Sequence, residues 1–175
     1  MSKAADLAKF IGGGFSGKVL QLVSTNKTDK TNSADFDASF ENVTGLTVNI
    51  TPSSTSSKIY VIATLQVSVH AYHLTFRIAR GGSTIVEPSA AGNRMLGMAH
   101  IYGHSSYNDH YNIESKVMQV LDSPSSTSEI TYSVQGKNAY NANTTGLVVN
   151  STNNDGDASY NSRVISTITA MEIAG

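Results

Sequence analysis

The chain has 175 residues, of which 14% are charged and 39% hydrophobic, with a net charge of −1 and no cysteine. Near-neutrality removes any general electrostatic attraction to nucleic acid or to an anionic membrane surface, and the lack of cysteine excludes disulfides, thiolate metal sites and cysteine nucleophiles. The length suits one domain with a small appendage, and Ser, Thr, Asn and Gly, roughly two-fifths of the residues, keep the surface wet with hydroxyls and amides in place of charges.

At the N-terminus, Ala4, Leu7, Ala8 and Ile11 share one face of a short amphipathic helix. Ser2 can cap its start and Gly12-Gly13-Gly14 ends it. A helix this short is not stable alone in water, so it needs a partner surface. Residues 1–16 are therefore expected to be an attachment helix with a glycine linker, and residues 17–175 a β-sandwich domain. Ser2 to Phe10 is half polar and unlike a secretory signal, and no stretch is apolar over a bilayer's thickness, so no membrane insertion is expected.

Beyond the linker the periodicity is that of strands. Gly17 to Thr25 is the first candidate, and Ala34 to Phe40 alternates weakly. In the stretch Gly45 to His70, Leu46, Val48 and Ile50 alternate with polar residues, and after the Pro52–Ser56 loop Ile59, Val61, Ala63, Leu65, Val67 and Val69 do the same. Leu74, Phe76 and Ile78 mark the next strand; Gly81-Gly82 makes a turn into a short return strand, Ser83 to Val86. Glu87 to Gly97 is irregular. Tyr111 to Leu121 and Glu129 to Gln135 are strands around a second loop, Pro124–Ser128, that repeats the Pro-Ser-Ser-Thr-Ser of the first, and the repetition suggests two similar hairpins. Gly146 to Val149 is a short strand, and Arg163 to Ile173 is apolar on both faces, which predicts a central, doubly covered position. Short strands separated by turn signals suggest an all-β jelly-roll-like sandwich or a barrel.

No catalytic motif survives inspection. His100, His104 and His110 have the spacing of the metzincin zinc ligands, but Ile101 stands where the general-base glutamate belongs and Tyr107 where the turn glycine belongs. There is no G-x-S-x-G elbow and no phosphate-binding glycine loop, and Asn153 to Asp157 lacks the register of a calcium loop. No catalytic residue, metal or cofactor is expected. Tyr102, Tyr107, Tyr111, Tyr140 and Tyr160 crowd the second half of the chain beside Asn, Asp and His. A flat ring with a polar tip next to amides suits sugar or protein recognition, or packing between subunits. The candidate ligand or subunit contacts are His104, Tyr107, Asn108, Asp109, His110, Tyr140 and Tyr160.

GKVLQ at Gly17 to Gln21, ITPSSTSSKIYV at Ile50 to Val61 and TAMEIAG at Thr169 to Gly175 together resemble a recurrent β-rich module of tailed-phage virion proteins, and SKAADLAKFI resembles leaders of such proteins. The resemblance implies a nonenzymatic virion structural protein, made in the bacterial host cytoplasm, with a trimeric jelly-roll or TNF/C1q-like tip. Its expected role is a tail-fibre component for recognising a host-surface glycan or protein, with a head fibre or a capsid decoration protein as the alternative. The helix would fix it to other virion proteins, and aliphatic side chains, with some tyrosines or histidines, would meet near the trimer axis.

Overall fold

The computed structural model describes residues 18–32, 36, 38–70, 72–103, 110–139 and 147–175. The predicted helix, with Ala4, Leu7, Ala8 and Ile11, lies outside the described residues. The strands are β1 (Val19–Lys27), β2 (Thr31–Asn32), β3 (Glu41–Ile50), β4 (Lys58–Val69), β5 (Tyr72–Arg80), β6 (Ser83–Thr84), β7 (Ala99–Gly103), β8 (Glu114–Asp122), β9 (Ile130–Asn138), β10 (Leu147–Val149) and β11 (Ser166–Ile173). They form two antiparallel sheets. One has the order β1-β11-β4, with β8 on the far side of β4 and the short β10 and β2 extending it; the other has the order β3-β9-β5, with β7 and β6 on the free side of β5.

This is a jelly-roll sandwich. Setting aside the short β2, β6 and β10, the chain changes sheet at each step from β1 to β3, β3 to β4, β4 to β5, β7 to β8, β8 to β9 and β9 to β11. The alternation in the sequence sets the inward faces. Ile59, Val61, Ala63, Leu65 and Val67 of β4 are fully buried against Leu46, Val48 and Ile50 of β3, Leu74, Phe76 and Ile78 of β5, and Tyr132 and Val134 of β9. Period-two patterning and burial of one face thus fix each strand's register.

The two Pro-Ser-Ser-Thr-Ser loops correct the hairpin reading. β3 pairs with β9, and β4 with β8, so neither loop joins neighbours within a sheet. Each is an arch that carries the chain from one sheet to the other. They share one local hydrogen bond, Ser56 N–H to Ser54 Oγ at 3.2 Å and Ser128 N–H to Ser126 Oγ at 3.0 Å, but differ in backbone, since Ser125 has a φ of 51°. The weak strand at Ala34 to Phe40 is also corrected. Residues 38–40 are not in a strand, and Phe36 is buried, set edge-on against Phe76 with ring centroids 6.4 Å apart. β7 is not among the predicted strands: its alternation covers only five residues, with the rings of His100 and Tyr102 at its exposed positions. β11 is central, as expected, but its faces are unequal: Ser166, Ile168, Ala170 and Glu172 are buried, while Thr167, Thr169, Met171 and Ile173 are only partly buried.

The segments that carry the phage-module resemblance meet at one point. Glu172 of β11 is 1% exposed. Its Oε1 accepts from Ser53 N–H at 2.7 Å, Ser53 Oγ at 2.6 Å and Ser57 Oγ at 2.7 Å, and its Oε2 accepts from Gln21 Nε2 at 2.6 Å. Burial alone would raise this carboxyl's pKa; the hydrogen bonds from Ser53, Ser57 and Gln21 outweigh burial and bring it down to about 2. The carboxylate therefore locks the first arch onto β1 and β11.

Candidate functional site

The jelly roll sorts the connections to its two ends. Strand directions place the two arches and the Gly81-Gly82 turn at the end where β1 begins and β11 finishes; there Ala174 N–H donates to Lys18 O at 2.8 Å. Among the described residues, 28–30, 38–40, 70, 110–113, 139 and 150–165 lie at the opposite end. The twelve residues of β4 run from one end to the other, a distance of about 35–40 Å at about 3.3 Å per residue.

At this loop end the fold brings together residues far apart in sequence. The His70 and His110 rings stack with centroids 4.0 Å apart. Tyr111 and Tyr160 meet edge-to-face at 5.5 Å. Asn154 links the two, since its N–H donates to His110 O at 3.0 Å and its Nδ2 donates to Tyr111 Oη at 3.0 Å. Tyr160 is 66% exposed, so its ring stands in solvent with an amide beside it. The expected contacts His110 and Tyr160 thus fall in one cluster. His104, Tyr107, Asn108, Asp109 and Tyr140 lie outside the described residues; the residues that flank them, Gly103 and His110, and Ala139 and Leu147, belong to this end.

Asn150 sets the loop on its scaffold. It adopts φ of 66°, a conformation asparagine tolerates better than most residues. Its Nδ2 donates to Lys27 O at 2.7 Å and Asp29 O at 3.0 Å, and its Oδ1 accepts from Ser166 Oγ at 2.6 Å. The 150s loop is thereby tied to β1 and β11. Asp155, the centre of the oxygen-rich Asn153 to Asp157 turn, accepts from Lys30 Nζ at 2.8 Å, Arg163 Nη2 at 2.7 Å and Ser151 Oγ at 2.9 Å. The hydrogen bonds from Lys30 and Ser151 hold its carboxyl below the usual range. The turn is an ion-paired joint between the 150s loop and the connection after β1.

A second ring group lies beside the first on β5 and β7. His73 stacks on Tyr102 at 4.4 Å and lies 5.6 Å from His100. Partial burial, and then the neighbouring His73 and Lys116, lower the His100 pKa. His100 sits on a strand and His110 stacks on His70, so the metzincin-like spacing does not gather its histidines on a helix. Among the described residues no group of three or more His, Cys, Asp or Glu side chains is placed to hold a metal ion, and no helix is long and apolar enough to cross a membrane.

Sequence reasoning missed His70, His73 and Asn154. His70 and His73 flank the sheet crossing between β4 and β5, and only the three-dimensional crossing puts them beside His110 and Tyr102. What the cluster offers chemically is one exposed ring, Tyr160, beside the partly buried His70, His110 and Tyr111 and beside the Asn154 amide; a ring with a polar tip near an amide suits contact with sugars or protein surfaces.

No family model and no curated protein matches this chain. Among solved structures it is similar to the crystal structure of the infectious bursal disease virus VP2 subviral particle, at 12% identity and a TM-score of 0.38, over 89% of this chain and 33% of that chain. The chain thus spans about a third of the length of that relative.

Proposed function

We propose that this chain is a nonenzymatic structural protein of a phage virion, a homotrimeric tail-fibre component that binds a host-surface glycan or protein. The observation that carries the reading is the polarity of the fold. The chain enters at one end of the sandwich, and the aromatic and amide residues gather about 35–40 Å away at the other. An attachment segment at residues 1–16 would then hold the domain to other virion proteins with its loop end outward. The phage-module resemblance supports the same reading, because GKVLQ, the first arch and TAMEIAG join at Glu172 and so mark a shared scaffold, leaving the loop end to vary. Jelly rolls serve capsid and lectin domains alike, so the fold is compatible with the role but does not select it.

Electron cryomicroscopy of the intact particle tests this. A density at the tail with residues 104–113 and 151–163 farthest from the attachment point is the expected result. A density lying flat on the head shell, with those loops buried against it, overturns the tail-fibre role in favour of a head fibre or decoration protein.

A further inference from the structure

The outward face of the β1-β11-β4-β8 sheet is unlike the rest of the surface. Across it run Val19, Leu22, Ser24 and Asn26 of β1; Thr167, Thr169, Met171 and Ile173 of β11; Lys58, Tyr60, Ile62, Thr64 and Gln66 of β4; and Ser115, Val117, Gln119 and Leu121 of β8. Lys58, at the arch end, is the sole charged residue among these positions. One rung reads Leu22–Met171–Tyr60–Leu121 from edge to edge. Val19 is 52% exposed, Leu22 57%, Val117 59% and Leu121 52%.

Six of the polar side chains of the face are already paired with one another. Tyr60 Oη donates to Gln119 Oε1, Ser115 Oγ donates to Gln66 Oε1 at 2.7 Å, and Ser24 Oγ and Thr169 Oγ1 lie 2.8 Å apart. Those three pairs keep their bonds when water leaves, which lowers part of the cost of burying the face.

We propose that this face is the contact between copies of the chain, an inference that deepens the homotrimer reading and rests on it. With Lys58 as its sole charge, the face offers little of opposite sign to a nucleic acid or to a strongly charged protein, whereas a second copy brings the same sparsely charged, half-apolar surface. Four strands about 4.8 Å apart and the stretch from Lys58 to Gln66 give a face of roughly 19 by 30 Å, so a ring of three copies, each turning one half of its face to each neighbour, buries about 1,700 Å² over the assembly and about 570 Å² at each contact. The most exposed aliphatic groups sit at both edges, Val19 and Leu22 on β1 and Val117 and Leu121 on β8. Two different patches that meet head to tail are what a closed ring needs. None of the described histidines, His70, His73, His100 and His110, belongs to this face.

The test is the mass in solution by light scattering of the full chain at micromolar concentration. Wild type is expected at three times the chain mass. The double variant Leu22→Glu/Leu121→Glu and the single variant Ser24→Arg, which removes no aliphatic group, are both expected at the monomer mass with native far-UV circular dichroism. Val86→Glu, exposed outside this face, is expected to stay a trimer. If wild type and Ser24→Arg are both trimers, the face is wrong and the trimer stands. A wild-type dimer that Ser24→Arg dissociates keeps the face and sinks the trimer. A wild-type monomer overturns both, and if its outer face still resists hydrogen exchange, the cover comes from the chain's own first residues.

Discussion

Glu172 shows how a buried charge can stabilise a fold in which charges are scarce. It receives several hydrogen bonds and lies nearly out of reach of water, so its ionised form is favoured in the folded chain despite its burial. Its folded pKa, about 2, lies below the ordinary 4.5, so the stabilisation is complete above pH 4.5 and is lost as pH falls toward 2. The shift corresponds to about 3 kcal/mol. Glu172→Gln should therefore cost about 1–3 kcal/mol at pH 7 and much less at pH 2, as read by urea denaturation at both values. An equal loss at both would show that the serines do not hold the charge. Leu65, fully buried at the centre of β4, tests the other half of the core: Leu65→Ala should cost about 2–5 kcal/mol in the same assay. A loss under about 0.5 kcal/mol would mean that the phase of β4 is wrong. The phase of Leu65 was legible in the alternation from Ile59 to Val69. The partners of Glu172 were not, because Gln21, Ser53 and Ser57 come from segments that only the folded chain places together.

At the scale of the element, the difference between sequence and structure lies in the connections. Strand alternation records which residues face inward but says nothing of which sheet a strand joins. Both Pro-Ser-Ser-Thr-Ser loops have turn chemistry that suits a hairpin and an arch equally, and their shared Ser Oγ contacts are local to the loop. β7 was illegible for a different reason. Its alternation, Ile101 inward and His100 and Tyr102 outward, runs for only five residues, and the outward positions carry rings in place of plainly polar side chains. The strap before β7 carries the sharpest constraint. A Cβ on Gly97 would lie 2.0 Å from Thr75 Cγ2 and 3.0 Å from the backbone oxygen of Phe76, while Met98 N–H donates to that same oxygen at 2.8 Å. Gly97→Ala should push the strap off β5 at a cost of about 1–3 kcal/mol. Faster hydrogen exchange at Met98 and Ala99, with the exchange of β4 unchanged, is the expected signature. Unchanged exchange at Met98 would refute the close approach.

At the scale of the whole molecule, the fold separates two ends of different make-up. The end with the arches is closed by the hydrogen bonds of β1 to β11, by the contact of Ala174 with Lys18 and by the Glu172 lock, and the chain enters the domain there. The first strand residue, Val19, already pairs with Ile173, so the described sheet is complete without any residue before Lys18. Deleting Met1 to Gly14 should therefore leave the thermal unfolding midpoint within about 2 °C of the full chain, a change below about 0.5 kcal/mol for a domain of this size. The same deletion should abolish loading onto particles, since the apolar stripe of Ala4, Leu7, Ala8 and Ile11 would be the attachment surface. Mixing tagged full-length and truncated protein with particles that lack the endogenous copy, then sedimenting, reads both at once. Normal loading of the truncated chain sinks the attachment role. A midpoint lowered by 10 °C or more would instead assign residues 1–14 to the folded domain, covering part of its surface.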